Sequence, residues 1–184
     1  MTMQPIIRVT RLTLDSNGQR DPRRFRLKDV TFNVAHGEFL LIVGGAAAGK
    51  SSLIDALDRG NSATFRPSSV WYAEGITPRR VNSSAELPSP VSQAEVVLKD
   101  GFQMEKLDHW QLLNAVRSSR ATLISATEIH RLVDWRPEFT RVMFLLAGRI
   151  VVDGSPNAAK EQIAACDLSG LRQDDRRVLT DWKP

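Results

Sequence analysis

The chain has a single cysteine, Cys166, among its 184 residues. No internal disulfide is available, and a reducing, cytoplasmic setting is expected. A lone cysteine so near the end of the chain reads as a small packing residue rather than a nucleophile. Aromatic residues make up 7% of the chain, with one tyrosine. Few of them accompany the arginines, so no base-stacking platform is present and nucleic-acid binding is not supported. No apolar run approaches the roughly 20 residues that cross a bilayer. The opening Met1-Thr-Met-Gln-Pro-Ile-Ile7 lacks a basic region followed by an apolar core, and no signal peptide is expected. There is no internal repeat, and no Asn-Lys-x-Asp that would select guanine.

What is present belongs to a soluble globular domain: 42% hydrophobic and 25% charged residues, net charge +4. The basic excess is local. Arg20, Arg23, Arg24, Arg26 and Lys28 form one cluster, and Arg172, Arg176 and Arg177 another. Each reads first as solvated surface, with anionic lipid or an acidic partner as the alternative.

The most informative stretch runs from Glu38 to Leu57. Phe39 to Val43 is an unbroken apolar run of strand length, as in strands buried on both faces. Lys50 to Leu57 places Leu53, Ile54 and Leu57 on one helical face. Between them lies Gly44-x-x-x-x-Gly49-Lys50-Ser51, the pattern of a phosphate-binding loop. Glycine-rich backbone turns N–H groups toward phosphate oxygens, and the following helix adds its positive dipole end. Nucleotide contacts are expected from Gly44, Gly45, Ala46, Ala47, Ala48, Gly49, Lys50, Ser51 and Ser52. Lys50 reaches the β- and γ-phosphates in such loops, and the Ser51 hydroxyl ligates Mg²⁺. Three alanines fill the middle of the loop, so a left-handed backbone at Ala47 would carry about 1 kcal/mol of strain.

Elsewhere the pattern alternates between strands and helices. Strands are expected at 6–14, 25–34, 70–73, 94–100 and 121–126, with a hairpin of strands 141–146 and 149–153 about Ala147-Gly148. Helices are expected at 107–116 (N-capped by Asp108), 127–135 and 158–165. Residues 76–93, rich in proline and serine, read as a long surface loop. The order implies an α/β fold: a mostly parallel core sheet preceded by antiparallel strands. We divide the chain into 1–156, the nucleotide-binding domain, and 157–184, a C-terminal helix and charged tail. Two strands before the phosphate loop set the chain apart from nucleoside-monophosphate kinases, leaving a phosphotransferase as a minor alternative. A Mg·nucleotide site needs a second acid at the end of a neighbouring strand. Asp100, after Val96-Val97-Leu98, is the candidate.

Leu27-Lys-Asp-Val-Thr-Phe-Asn-Val-Ala-His-Gly-Glu-Phe-Leu-Leu-Ile-Val-Gly44 resembles the approach to the phosphate loop in the nucleotide-binding domain of ABC-type ATPases. Arg141-Val-Met-Phe-Leu-Leu-Ala-Gly-Arg-Ile-Val-Val-Asp-Gly-Ser-Pro156 is similar to that family's late hairpin. The resemblance implies the P-loop NTPase fold and makes Asp100 the Walker B aspartate. It also exposes departures. Gly101 stands where the family has its catalytic glutamate, and Glu128 where it has the switch histidine, with His130 two residues on. Leu107-Asp108 resembles the D-loop, one residue late. Tyr72-Ala-Glu-Gly75 falls at the Q-loop and holds no glutamine. Phe25 or Ser16 aligns with the adenine-stacking aromatic. The helical subdomain and its Leu-Ser-Gly-Gly-Gln signature are missing, with only Pro88-Ser-Pro-Val-Ser-Gln93 near their place.

The resemblance therefore implies a subunit that binds ATP or ADP with Mg²⁺ held by Ser51 and Asp100, and hydrolyses weakly or not at all. It would act in a larger assembly, cytoplasmic or on the cytoplasmic face of a membrane, with protein partners or as a homo- or heterodimer. Two alternatives stay open. One is an active ATPase completed by a partner chain or by Glu128, Glu105 or His130. The other is a scaffold that has lost nucleotide.

Overall fold

The computed structural model describes residues 4–14, 27–58, 69–87, 90–103, 106–129 and 138–166. Its centre is strand β3, Phe39–Gly44, in which every residue is buried. β3 lies between β7 (Thr122–Glu128) and β8 (Arg141–Leu146), parallel to both. β6 (Glu95–Lys99) adds to β7 and β5 (Thr77–Arg80) to β6, again in parallel. β9 (Arg149–Gly154) closes the other edge antiparallel to β8. The sheet order is β5-β6-β7-β3-β8-β9. Three further strands, β1 (Pro5–Leu14), β2 (Leu27–Ala35) and β4 (Val70–Tyr72), form a separate antiparallel sheet ordered β2-β1-β4.

The pleat divides the core in two. Leu40 and Ile42 of β3 join Val96, Leu98, Ile124, Ala126, Met143 and Leu145 on one face. That face is covered by the small sheet and by helix α1 (Lys50–Asp58), through Leu53, Ile54, Ala56 and Leu57. Phe39, Leu41 and Val43 point the other way. There they meet α2 (Leu107–Ser118), through Leu112, Leu113 and Val116, and α3 (Pro156–Ala165), through Ala159 and Ile163. A sheet covered on both faces needs continuous apolar strands, which is why period-2 alternation is absent from β3.

Local chemistry explains several boundaries. Ala147 and Gly148 both have positive φ (49° and 79°), as a two-residue hairpin turn matched to strand twist requires. Ser155 caps α3 by accepting from the Ala158 N–H, and Pro156 occupies its first turn. Arg141 joins the two sheets: it donates to the Asn33 carbonyl at 2.7 Å, to Glu38 Oε1 at 3.2 Å and to both carboxylate oxygens of Asp153. The hydrogen bonds to Asp153 drive its pKa further up from the usual guanidinium range.

The α/β expectation holds, with corrections. Residues 77–80 are not loop: they form the edge strand β5, whose pairing with β6 overrides an unpromising sequence. Pro78 is tolerated because β5 is an edge. A single 3₁₀ turn, Ser84–Glu86, follows. β7 extends through Thr127 and Glu128, where a helix was expected to start; residues 130–137 lie outside the described residues. Lys106, not Asp108, is the N-cap of α2. Asp108 instead accepts from the Ser84 backbone N–H at 2.9 Å and from the Ser84 hydroxyl. No described helix is long and apolar enough to cross a membrane.

Candidate functional site

The glycine- and alanine-rich loop read from sequence as phosphate-binding leaves the C-terminal end of β3 and enters α1 directly. Open α/β sheets bind ligands at this end of their strands. The loop is a tight turn in which the Ala48 N–H donates to the Gly45 carbonyl at 3.2 Å. Ala47 has φ 61°, so the strain anticipated from its side chain is present in the fold. The Lys50 ammonium curls back to the carbonyls of Gly44 (3.0 Å) and Gly45 (2.8 Å) and is buried. From behind, the Gly148 N–H of the β8–β9 turn donates to the Ala48 carbonyl at 3.0 Å. Hairpin and loop are thus one braced unit. The first turn of α1 presents N–H groups that no intrahelical carbonyl can accept, beside the positive end of its dipole.

A cleft of about 940 Å³ opens over this unit. Ala46 to Ser52 form its floor, and Asp100, Gly101, Phe102, Gln103, Thr127 and Glu128 one wall. The fold therefore brings Lys50, Ser51, Asp100 and Glu128 to one cavity. Glu128 is in register with Gly44 across the β3–β7 pairing. The wall is held by a short relay: the Phe102 N–H donates to the Ala126 carbonyl and the Thr127 hydroxyl to the Phe102 carbonyl, both at 2.7 Å. Phe102 also stacks on His109, with ring centroids 4.9 Å apart. Burial lowers the His109 pKa, which favours the neutral imidazole in that stack. Gly101 has φ 67°, and a β-carbon there would meet nothing within 4 Å. Among the described residues no carboxylate occupies that space.

Ser51 and Asp100 are hard oxygen donors of the kind Mg²⁺ takes. Among the described residues no three His, Cys, Asp or Glu side chains gather to hold a metal unaided. A cation held by Ser51 and Asp100 would need the nucleotide's own oxygens to complete its shell, as in phosphate-loop sites generally. The donor set fits the ion.

Three residues on the rim were missed from sequence: Asp55, Arg80 and Asn82. Arg80 ends β5, and its guanidinium donates to Asp55 Oδ1 of α1 and to Asp100 Oδ2, the latter at 3.4 Å. Tyr72 to Gly75, aligned with the Q-loop, are not among the residues that line the cleft. Tyr72 belongs to β4 in the small sheet, and its hydroxyl donates to the Leu57 carbonyl. The segment beside Asp100 is instead the end of β5, with Asn82 just beyond. Phe25, Ser16, Glu105 and His130, together with most of both basic clusters, lie outside the described residues.

This architecture recurs in known structures. A nucleotide-free ATP-binding cassette from an ABC transporter superposes with TM-score 0.64 at 12% identity, over 91% of this chain and 97% of that one. The fold is that of an ATP-binding cassette. The dimeric cassette MJ0796, in a post-hydrolysis state with ADP and phosphate, gives 0.58 at 12% identity, over 81% and 98%. cbiO1 of Clostridium perfringens, part of an ABC transporter complex, gives 0.58 at 15% identity, over 88% and 93%. No family model matches the chain, and no curated protein matches its sequence. The likeness to these cassettes is one of fold. Within it, the connection from β5 to β6 here carries only the 3₁₀ turn among the described residues.

Proposed function

We propose that the chain is a nucleotide-binding subunit that takes ATP or ADP on its phosphate loop and hydrolyses it weakly or not at all. One observation carries this reading: Ala46 to Ser52, Lys50 among them, face the same cleft as position 101, a glycine, while Gly44 and Gly45 lie beneath it. The Ala47 backbone supports it too, since left-handed strain at a non-glycine residue persists where surrounding structure enforces it, and such residues cluster at ligand sites. In the bound state Lys50 swings from the Gly44 and Gly45 carbonyls to the phosphates, and the α1 N-terminus supplies N–H donors. Where Mg²⁺ accompanies the nucleotide, Ser51 and Asp100 are the residues that would hold it. A missing general base lowers turnover by about 10²–10⁴.

Residues 81–94, between β5 and β6, are too few for the helical subdomain and hold no Leu-Ser-Gly-Gly-Gln signature. This supports a nucleotide-responsive or structural component that works with a protein partner rather than through the usual sandwich of nucleotide between two copies. A cytoplasmic site of action, free or at the membrane surface, is part of the same proposal.

Titration calorimetry with ATP and ADP tests binding. Lys50→Ala is expected to weaken affinity at least about tenfold, or 1.4 kcal/mol. No heat at millimolar nucleotide would leave the scaffold reading. Turnover by the purified chain at about 1 s⁻¹ or faster, lost in Lys50→Ala, would replace the weak-hydrolysis reading with an active ATPase. Glu128 is favoured as its base by its place in the cleft, and Glu128→Gln tests it.

A further inference from the structure

Adjacent arginines on β5 diverge, as the pleat requires. Arg79 pairs with Glu95 at 2.9 Å, a partner in its own sheet. Arg80 turns into the cleft, between Asp55 on α1 and Asp100 after β6. All three side chains are only partly exposed: 35% for Arg80, 36% for Asp55 and 24% for Asp100. Ion pairs this open add little to stability, so folding alone does not explain the arrangement. Its position has a consequence. The carboxylate suited to a divalent cation already faces a fixed positive charge, held by a second carboxylate five residues past Lys50 on α1. A guanidinium is permanently charged and matches phosphate oxygens in geometry, so it serves on phosphates where a metal otherwise would.

We propose that Arg80 is a resident counter-cation that competes with Mg²⁺ for Asp100 and contacts the terminal phosphate itself. Nucleotide binding by this chain is then nearly independent of magnesium. The inference rests on the nucleotide-binding reading above and names the charge that completes its site.

Calorimetry of ADP and ATP in excess Mg²⁺ and in EDTA tests it on the unmodified chain first. The expected difference in Kd between the two buffers is below about threefold. Arg80→Gln is expected to widen the gap to about tenfold or more, chiefly by weakening binding in EDTA. Arg80→Lys, which keeps the charge but loses the fork, is expected to fall between them. Thermal unfolding of each variant confirms that it is folded. Binding by the unmodified chain only with Mg²⁺, or an unchanged ratio in folded Arg80→Gln, overturns the proposal. Absence of binding in both buffers removes the nucleotide reading and this inference with it, a result distinct from either.

Discussion

Gly44 and Leu145 sit side by side across the β3–β8 pairing, and a β-carbon on Gly44 would lie 2.6 Å from the Leu145 carbonyl oxygen. It would also lie 2.9 Å from the Ala48 β-carbon. Both obstacles are in or next to backbone, so neither can swing aside. The first glycine of the loop is thus required by packing against β8. Gly44→Ala is expected to destabilise the fold by about 2 kcal/mol or more. Urea unfolding measures it, and a cost within experimental error would show that β8 yields.

Ala47 holds a left-handed backbone that glycine adopts without strain. Ala47→Gly is expected to stabilise the chain by up to about 0.6 kcal/mol, net of the added freedom of the unfolded chain. Chemical denaturation checks the sign. A loss of stability would mean that the Ala47 methyl makes contacts outweighing the strain.

Placing an acid at position 101 is not expected to raise ATP hydrolysis to the level of a placed base. Gly101 has φ 67°, so Gly101→Glu bears about 1 kcal/mol of strain and projects its side chain along a left-handed direction. Steady-state ATP hydrolysis by Gly101→Glu is expected to stay within about tenfold of the parent, short of the 10²–10⁴ a placed base contributes. A larger rise would show that the loop relaxes to a catalytic geometry.

The Ser84 hydroxyl and N–H hold the Asp108 carboxyl below its ordinary pKa. A depressed folded-state pKa means that this stabilisation is present above the unfolded value of about 4 and is lost as pH falls through the folded one. Asp108→Asn is therefore expected to lower the unfolding temperature at pH 7, with the gap to the parent closing toward pH 3. A gap unchanged over that range would assign the Asp108 contribution to something other than charge.

Much of the fold was legible in the residues because its signals are local. An apolar run marks β3, and Ala147-Gly148 marks the hairpin. The strain at Ala47 was legible for the same reason: the loop pattern dictates the backbone of each of its positions. Less could be read where burial is weak or pairing is distant. Thr77-Pro-Arg-Arg80 has no buried residue and becomes a strand only through its register with β6. Asp108 looked like a helix cap, yet its partner Ser84 comes from 24 residues upstream.

The sequence by itself determined that a tight strand-turn-helix loop would form at residues 44–52, and what its residues are. Lys50, Ser51 and the glycines lie within one strand-turn-helix unit, where chain connectivity sets the geometry. Only the tertiary structure decided what faces that loop. Arg80 and Asp100 are 20 residues apart and meet because parallel pairing aligns the ends of β5 and β6 beside the loop. Pairing in a parallel sheet is set by packing on both faces, and no short window of sequence contains it.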